Sequence, residues 1–283
     1  MQNVTSGRSL YYYLSVILLA RLAGTPVMLY AQGIGPVCGG FARWLMTAIS
    51  RRVARITVRD YGSLEELRSL NITRPPSEVT ADPVLAIHPV DRGIGRAILT
   101  KYKAAGAKPV VGISVREWRG WSGYKKAIAA AAGEIAREFE ARVIFLPMQY
   151  PEDVETARKI AAQAGEPMIV LDEEYTTSEL LSIVGNLDLL ISIRLHGLIF
   201  AGVMGVPMVG ISYDPKIDRF LDSIDEKPAA DLKTATVKNI MAAVREKWAN
   251  RKNEAEQREG RLAELRRLAA RNAELALELI EKM

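Results

Sequence analysis

The chain has 283 residues, 49% of them apolar and 25% charged, which suits a buried core and leaves room for two domains while excluding a disordered chain. A formal charge of +5 and a pI near 9.2 favour an anionic ligand or a membrane surface, but the basic residues run over the whole length and form no nucleic-acid-binding stripe. The single Cys38 excludes an internal disulfide and has no metal-ligand companions, so a cytoplasmic protein without structural zinc is expected.

Leu10 to Ala20 is apolar and follows Arg8, as in a signal peptide, but Arg21 ends it short of the roughly 20 apolar residues a membrane span needs. It reads instead as a buried helix closing at Gly24. Pro26 to Gln32 is a short buried strand stopping at Gly33-Ile34-Gly35-Pro36, and residues 42 to 52 form a helix candidate. Arg55 to Val58 is a second strand ending in Arg59-Asp60. Ser63-Leu64-Glu65-Glu66 then starts a helix with capping-box chemistry, and Thr80-Ala81-Asp82-Pro83 closes a third strand. Helices between short apolar strands predict a parallel sheet with crossover connections.

The alternation restarts after the loop at Asp91 to Gly95. Val110 to Val115, Arg142 to Leu146, Met168 to Leu171, Leu187 to Ile193 and Val206 to Gly210 are five strand candidates, enough for a doubly wound domain. The boundary falls between residues 88 and 105, giving domains at 1–95 and 96–232. From Thr234 onward the pattern becomes a long charged helix or pair of helices, a C-terminal segment at 233–283. Leu262, Leu265, Ala269, Ala273, Ala276 and Ile280 form one stripe, suited to packing on a domain, and Gly260 marks a break. The basic middle of this segment, Arg258 to Arg271, leaves a dimer contact or an interfacial membrane helix as alternatives.

In open α/β sheets ligands bind beyond the carboxyl ends of the strands, so polar residues just after apolar runs carry most weight. The richest such run is Leu187 to Gly202, where a strand passes through Arg194-Leu195-His196-Gly197 into an apolar helix whose first turn offers unpaired N–H groups and a positive dipole end. Gln32-Gly33, Arg59-Asp60, Asp82, Arg116 to Trp121, and Lys216 in Tyr213-Asp214-Pro215-Lys216 occupy other strand ends. Four cations, Arg59, Arg116, Arg194 and Lys216, suit a ligand carrying both carboxylate and phosphate. Plainer roles compete: Arg59 with Asp60 as a local ion pair, Asp82 as a turn residue before Pro83, Trp118 and Trp121 as loop cover, His88 as a linker residue. The sequence holds no metal-binding cluster, no phosphate loop ending in Gly-Lys-Ser/Thr and no nucleophile elbow.

Taken in order, Gln2-Asn3-Val4-Thr5-Ser6 with Tyr11-Tyr12-Tyr13-Leu14, Tyr30 to Pro36, Ile56 to Asp60, Thr80 to Pro83, Gly112 to Trp118, Arg194 to Gly197 and Asp214 to Lys216 resemble the polysaccharide pyruvyl transferase family, specifically its bacterial cell-wall branch. The resemblance implies a glycosyltransferase-B-like pair of Rossmann-like domains facing a cleft, with the acceptor on the first and phosphoenolpyruvate on the second. It also implies an incomplete first domain, because the family's Gly-rich first βα unit would precede Met1, and Asn3 where the family has Asp. The implied reaction moves pyruvate from phosphoenolpyruvate to an N-acetylmannosamine residue as a 4,6-ketal, with release of phosphate. Phosphoenolpyruvate is then a co-substrate and no cofactor is needed. The implied acceptor is an undecaprenyl-diphosphate-linked saccharide, which brings peripheral membrane contact and a product that anchors surface-layer proteins. By the same resemblance His196, Arg59 and Lys216 are catalytic, and Arg194, Gly197, Arg116, Gln32, Gly33, Asp82, Trp118 and Gln2 bind substrate. A nucleotide-sugar glycosyltransferase or epimerase of the same fold, or an inactive truncated relic, remains as an alternative.

Overall fold

A computed structural model describes every residue except 4–6, 119–120, 252 and 282–283, so Val4 to Ser6 of the first quoted motif and Arg119-Gly120 of the Arg116–Trp121 stretch lie outside the described residues. The chain forms two compact units, one of Met1–Ile87 with Ala263–Met283 and one of His88–Leu262. The division lies at the edge of the expected boundary loop. Of the C-terminal residues, expected as a separate segment from 233, those up to Leu262 belong to the second unit and those from Ala263 to the first.

The first unit is built on three parallel strands, β1 (Met28–Gln32), β2 (Arg55–Val58) and β3 (Ser77–Val79), in the order β1-β2-β3. Helix α1 (Gly7–Leu22) places Leu10, Leu14 and Ile17 at helical spacing into a core shared with Met46 and Ile49 of α2 (Gly40–Ser50). Helix α3 (Tyr61–Ser69) starts two residues earlier than the expected capping box. Asp60 is its cap, accepting from Ser63 N at 2.7 Å, while the Ser63 hydroxyl accepts from Ile34 N at 2.9 Å and the Glu66 carboxylate from Val37 N at 2.9 Å. Ser63 and Glu66 therefore tie down the loop after β1 instead of each other.

The second unit holds a six-stranded parallel sheet: β4 (Val110–Ser114), β5 (Arg142–Phe145), β6 (Ile169–Val170), β7 (Leu189–Ser192), β8 (Met208–Ser212) and β9 (Ala230–Asp231), in the order β6-β5-β4-β7-β8-β9. β9 is a strand beyond the five expected, too short to leave an apolar run in the sequence. Relabelled from β4, the order is 3-2-1-4-5-6, the doubly wound arrangement whose direction of winding reverses between β4 and β7. Helices α4 (Gly93–Lys101), α5 (Gly123–Glu138), α6 (Glu152–Ala161), α7 (Thr177–Val184), α8 (Leu195–Met204), α9 (Pro215–Ser223) and α10 (Val237–Asn250) also lie in this unit. Small side chains on α5, among them Ala127, Ala131 and Ala132, pack into the core with Val111, Val143 and Ile191. Helix α10 joins the same core through Ile240, Met241 and Val244, and its Trp248 ring stacks on Phe139 with centroids 4.5 Å apart.

The last helix, α11 (Glu254–Ile280), runs through Gly260 without a break, and α10 ends at Asn250 before it. Its inward stripe also differs from expectation. Leu262 and Ala269 are buried as predicted, but Asn272 and Leu275 are fully buried while Ala273 and Ile280 are exposed. Asn272 faces inward because it ties strand ends together: Thr57 and Thr80 donate their hydroxyls to its Oδ1 at 2.6 and 2.8 Å, and its Nδ2 donates to the Ala81 carbonyl at 3.1 Å. The Thr57 hydroxyl in turn accepts from Ala31 N at 2.7 Å, so one amide links the ends of all three strands to α11. Replacing Asn272 with Ala should destabilise the first unit by about 2 kcal/mol through stranded buried polar groups, read from the midpoint of urea unfolding.

Candidate functional site

In the second unit, β4 and β7 pair in register with Ser114 opposite Ser192, and β7 pairs with β8. Arg116 and Arg194 each lie two residues past those paired serines, so the two arginines follow adjacent strand ends at the sheet's winding reversal. Arg194 donates from Nη2 to Asp153 Oδ1 and to Gln149 Oε1, the latter at 3.2 Å. Asp153, only 1% exposed, is itself fixed by Met148 N at 3.1 Å and Gln149 N at 2.9 Å on its other oxygen. It is a buried carboxylate that accepts from Arg194 and from two backbone N–H groups, and it orients Arg194.

Arg116 donates to the Tyr213 hydroxyl and lies against two rings, 5.3 Å from the Trp118 centroid and 5.1 Å from that of Tyr213, which pack at a 48° tilt with centroids 4.4 Å apart. Tyr213 follows β8 and Arg116 follows β4, so this contact spans the mouth of β7 from which Arg194 emerges. Tyr124 donates its hydroxyl to the Arg116 carbonyl at 2.6 Å, and burial pushes the Tyr124 phenol above its ordinary range, keeping it a neutral donor. Three buried polar atoms here, Ser114 Oγ, Arg116 Nε and Arg194 Nε, have no hydrogen-bonding partner among the described residues. Two of the three are cationic N–H donors at adjacent strand ends, an arrangement that suits an anion.

The corner after β7 depends on a close approach. The Ser192 hydroxyl donates to the Arg194 carbonyl at 2.8 Å and accepts from Arg194 N at 3.0 Å, and a Cβ on Gly197 would lie 2.6 Å from that oxygen. Gly197 therefore packs where no side chain fits. His196 is exposed in the first turn of α8, next to the Arg194 N-cap. Lys216 is half-buried in the first turn of α9, where Asp214 accepts from its backbone N at 3.0 Å. Arg116, Trp118, Arg194, His196, Gly197 and Lys216 thus all follow the carboxyl ends of β4, β7 and β8.

In the first unit the expected residues form a separate charged cluster. Arg59 is salt-bridged to Asp82 at 2.8 Å and lies 3.8 Å from Asp60, and a Cβ on Gly33 would lie 2.8 Å from the Arg59 guanidinium. Both carboxylates also cap backbone, Asp60 at α3 and Asp82 by accepting from Val84 N at 3.2 Å. The ion-pair reading of Arg59 and the turn reading of Asp82 are what the geometry shows, with Asp82 rather than Asp60 as the nearer partner. Gln32 is half-buried and donates to the Tyr30 carbonyl at 3.2 Å. Gln2 is half-buried between Met1, whose amino group bonds the Gly33 carbonyl, and Asn3. Asn3 makes a reciprocal pair with the Cys38 backbone, donating to its carbonyl at 2.6 Å and accepting from its N–H at 2.8 Å, which a carboxylate cannot do from both sides.

A cavity of about 390 Å³ lined by Arg92, Arg96, Asn186 and Asp188 opens where β7 begins and contains none of the expected site residues. Among the described residues no three His, Cys, Asp or Glu side chains gather as metal ligands. Sequence reasoning overlooked Asp153, Gln149 and Tyr213 as site residues. Their signal was the strand-end position itself, which Gln149 to Asp153 share after β5 and Tyr213 after β8.

Residues 2–215 match the sequence profile of the polysaccharide pyruvyl transferase family. The chain belongs to that family. No curated protein matches it by sequence. Solved structures share its architecture at low identity. The UDP-GlcNAc 2-epimerase of Neisseria meningitidis bound to UDP-GlcNAc aligns with a TM-score of 0.66 and 11% identity, over 94% of this chain and 73% of that one. The Staphylococcus aureus MnaA–UDP co-structure aligns at 0.64 with 13% identity over 86% of this chain, which spans 66% of the length of MnaA. Anabaena Alr3699/HepE in complex with UDP-glucose aligns at 0.62 with 12% identity, over 94% of this chain and 76% of that one. These likenesses give the α/β, glycosyltransferase-B-like fold class. Within the transferase family's matched span, Asp153 is the anchor of the strand-end cluster. Asp153→Ala should cost about 3 kcal/mol of stability by leaving Arg194 without its buried counter-charge, a loss measurable by denaturant unfolding.

Proposed function

We propose that this pyruvyl transferase moves pyruvate from phosphoenolpyruvate to two hydroxyls of an N-acetylmannosamine residue in an undecaprenyl-diphosphate-linked saccharide, as the cell-wall member CsaB does. The observation that carries the reading is the pair of half-buried guanidinium groups, Arg116 and Arg194, at adjacent strand ends, each with a buried Nε without a partner. Phosphoenolpyruvate carries a carboxylate and a phosphate a few bonds apart, and two fixed cations at neighbouring strands match two anionic groups on one small molecule.

The chemistry needs a proton on the methylene carbon of phosphoenolpyruvate, which makes that carbon a methyl group and leaves the neighbouring carbon electron-poor. One acceptor hydroxyl adds there, the carbon–oxygen bond to phosphate breaks, and the second hydroxyl closes the ketal. Of the two hydroxyl protons, one balances the proton given to carbon and the other leaves with phosphate. His196, exposed in the first turn of α8 beside the Arg194 cap, is assigned the proton transfers. Arg194 and Arg116 hold the donor anions and Lys216, from the first turn of α9, joins them on the departing phosphate. Arg59, its guanidinium held by Asp82, is assigned to an anionic substrate group at the strand ends of the first unit. Gly197 lets α8 start close to the sheet, Trp118 presents a ring face to the sugar, and Gln2, Gln32 and Gly33 are assigned to the acceptor.

Phosphate release from phosphoenolpyruvate with a synthetic N-acetylmannosamine disaccharide should fall on the order of 100-fold or more in His196→Ala, with an unchanged circular dichroism spectrum. Near-normal turnover by that variant removes His196 from the mechanism. Phosphoenolpyruvate should also raise the melting temperature of the wild-type chain and not that of Arg194→Ala. Stabilisation by UDP-sugars alone would replace this reading with a nucleotide-sugar enzyme.

A further inference from the structure

Tyr213 is fixed along the chain from both sides. It follows Ser212, the last residue of β8, whose partner in the sheet is Asp231 of β9, and it precedes Asp214, which caps α9 by accepting from Lys216 N at 3.0 Å. Its ring is held as well, with the Trp118 centroid 4.4 Å away and the Arg116 guanidinium carbon 5.1 Å from its own centroid. The hydroxyl accepts a hydrogen bond from Arg116 Nη1. Because β7 lies between β4 and β8 in the sheet, this bond from past β4 to past β8 spans the end of β7, the strand that Arg194 follows.

An arginine side chain has N–H donors and no acceptor, so the Tyr213 oxygen receives the bond and the hydroxyl proton points away from the guanidinium. Among the described residues nothing accepts that proton. Tyr124 differs, because its hydroxyl proton goes to the Arg116 carbonyl at 2.6 Å. A phenol also leaves the charge of its partner intact. The other strand-end arginines are held by carboxylates, Arg194 by Asp153 and Arg59 by Asp82, and each such pairing cancels charge that an anion would otherwise meet. Arg116 has no carboxylate partner among the described residues, since the adjacent Glu117 gives its two oxygens to Lys125 at 2.7 and 2.6 Å.

We propose that Tyr213 is a further substrate-binding residue, its hydroxyl donating to the same anionic group of the substrate that Arg116 binds. The inference rests on the anion-binding reading of this site given above and adds a neutral donor to its arginines. A hydroxyl that accepts from a cation is polarised into a stronger donor, so a phosphate or carboxylate oxygen lying against Arg116 gains a second bond in the same place. A tyrosine that only positioned Arg116 would need the oxygen and not the proton. The two requirements separate when one is kept and the other removed.

Binding of phosphoenolpyruvate and, separately, of inorganic phosphate to the full chain is measured by calorimetry. Tyr213→Phe keeps the ring against Trp118 and Arg116 and loses only the hydroxyl; it should weaken binding about tenfold with an unchanged circular dichroism spectrum. The second variant carries 4-aminophenylalanine in place of Tyr213, which keeps N–H donors at the same position on the ring but is a poor acceptor for Arg116. It should restore most of the affinity that Tyr213→Phe loses. Two results overturn the proposal: affinity in Tyr213→Phe equal to that of the wild type, or affinity in the amino variant no better than in Tyr213→Phe. Binding of neither probe by the wild type overturns it together with the proposed reaction. Phosphate binding that depends on Tyr213 in this way, with no binding of phosphoenolpyruvate, upholds the residue's part in the site and overturns the proposed donor alone.

Discussion

Parallel strand direction in the second unit is the constraint on which the site depends. With all six strands running the same way, every strand's carboxyl end opens onto the same edge, and the reversal of winding between β4 and β7 leaves a crevice there that no crossover helix fills. Register then decides which residues meet. Ser114 pairs with Ser192, so Arg116 and Arg194, 78 residues apart in the chain, become neighbours without any local sequence relating them. A slip of one residue between these strands would turn their side chains to opposite faces. The apolar strands, buried on both sides, resist such a slip because it would also misplace their core contacts, as in Val111 and Ile113 of β4 and Leu189 and Ile191 of β7.

The two cationic clusters differ in how completely they are satisfied. In the first unit Arg59 meets Asp82 directly, with Asp60 close by, and both carboxylates also cap backbone, so charge and hydrogen-bonding needs are largely met within the protein. In the second unit Asp153 engages one nitrogen of Arg194 and spends its other oxygen on two backbone N–H groups, leaving Nε without a partner. A buried donor left unmet costs on the order of 1–3 kcal/mol, and an arriving anion recovers that cost along with its own binding. The orientation fixed by Asp153 is therefore what turns Arg194 from a structural cation into a preorganised one.

Much of this was legible in the sequence, for identifiable reasons. Parallel strands buried on both faces are unbroken apolar runs, so β4, β5, β7 and β8 were visible as such, while β9 at two residues was not. The strand-end rule singled out Arg116, Arg194, His196 and Lys216 because each follows such a run, and each lies past the carboxyl end of β4, β7 or β8. It passed over Asp153 and Tyr213, which are set apart by their tertiary partners: Asp153 reaches from the first turn of α6 to Arg194 past β7, and Tyr213 from the end of β8 to Arg116 past β4. Asn272 escaped because a polar residue within a helical stripe reads as solvent-facing, and only the hydroxyls of Thr57 and Thr80 explain why it points inward. Gly260 looked like a helix break by its intrinsic cost of about 1 kcal/mol, an amount that the flanking helical residues of α11 override.

Helix α1 shows the limit of hydropathy as a guide. Its run of apolar residues reads equally as a secretory segment, a core helix or an interfacial one, because hydropathy counts residues and says nothing of faces. Packing separates the three. Leu10, Leu14 and Ile17 meet Met46 and Ile49, which fixes one face in the core of the first unit. The other face gains nothing from that core, and in water it leaves Tyr12, Val16 and Leu19 in contact with solvent at a cost set by their apolar area, about 25 cal/mol for each Å² left uncovered. A sequence that needed only the core contacts would meet them with an amphipathic helix, polar on the outside. The second apolar face of α1 is thus set by something other than its contacts with the core of the first unit.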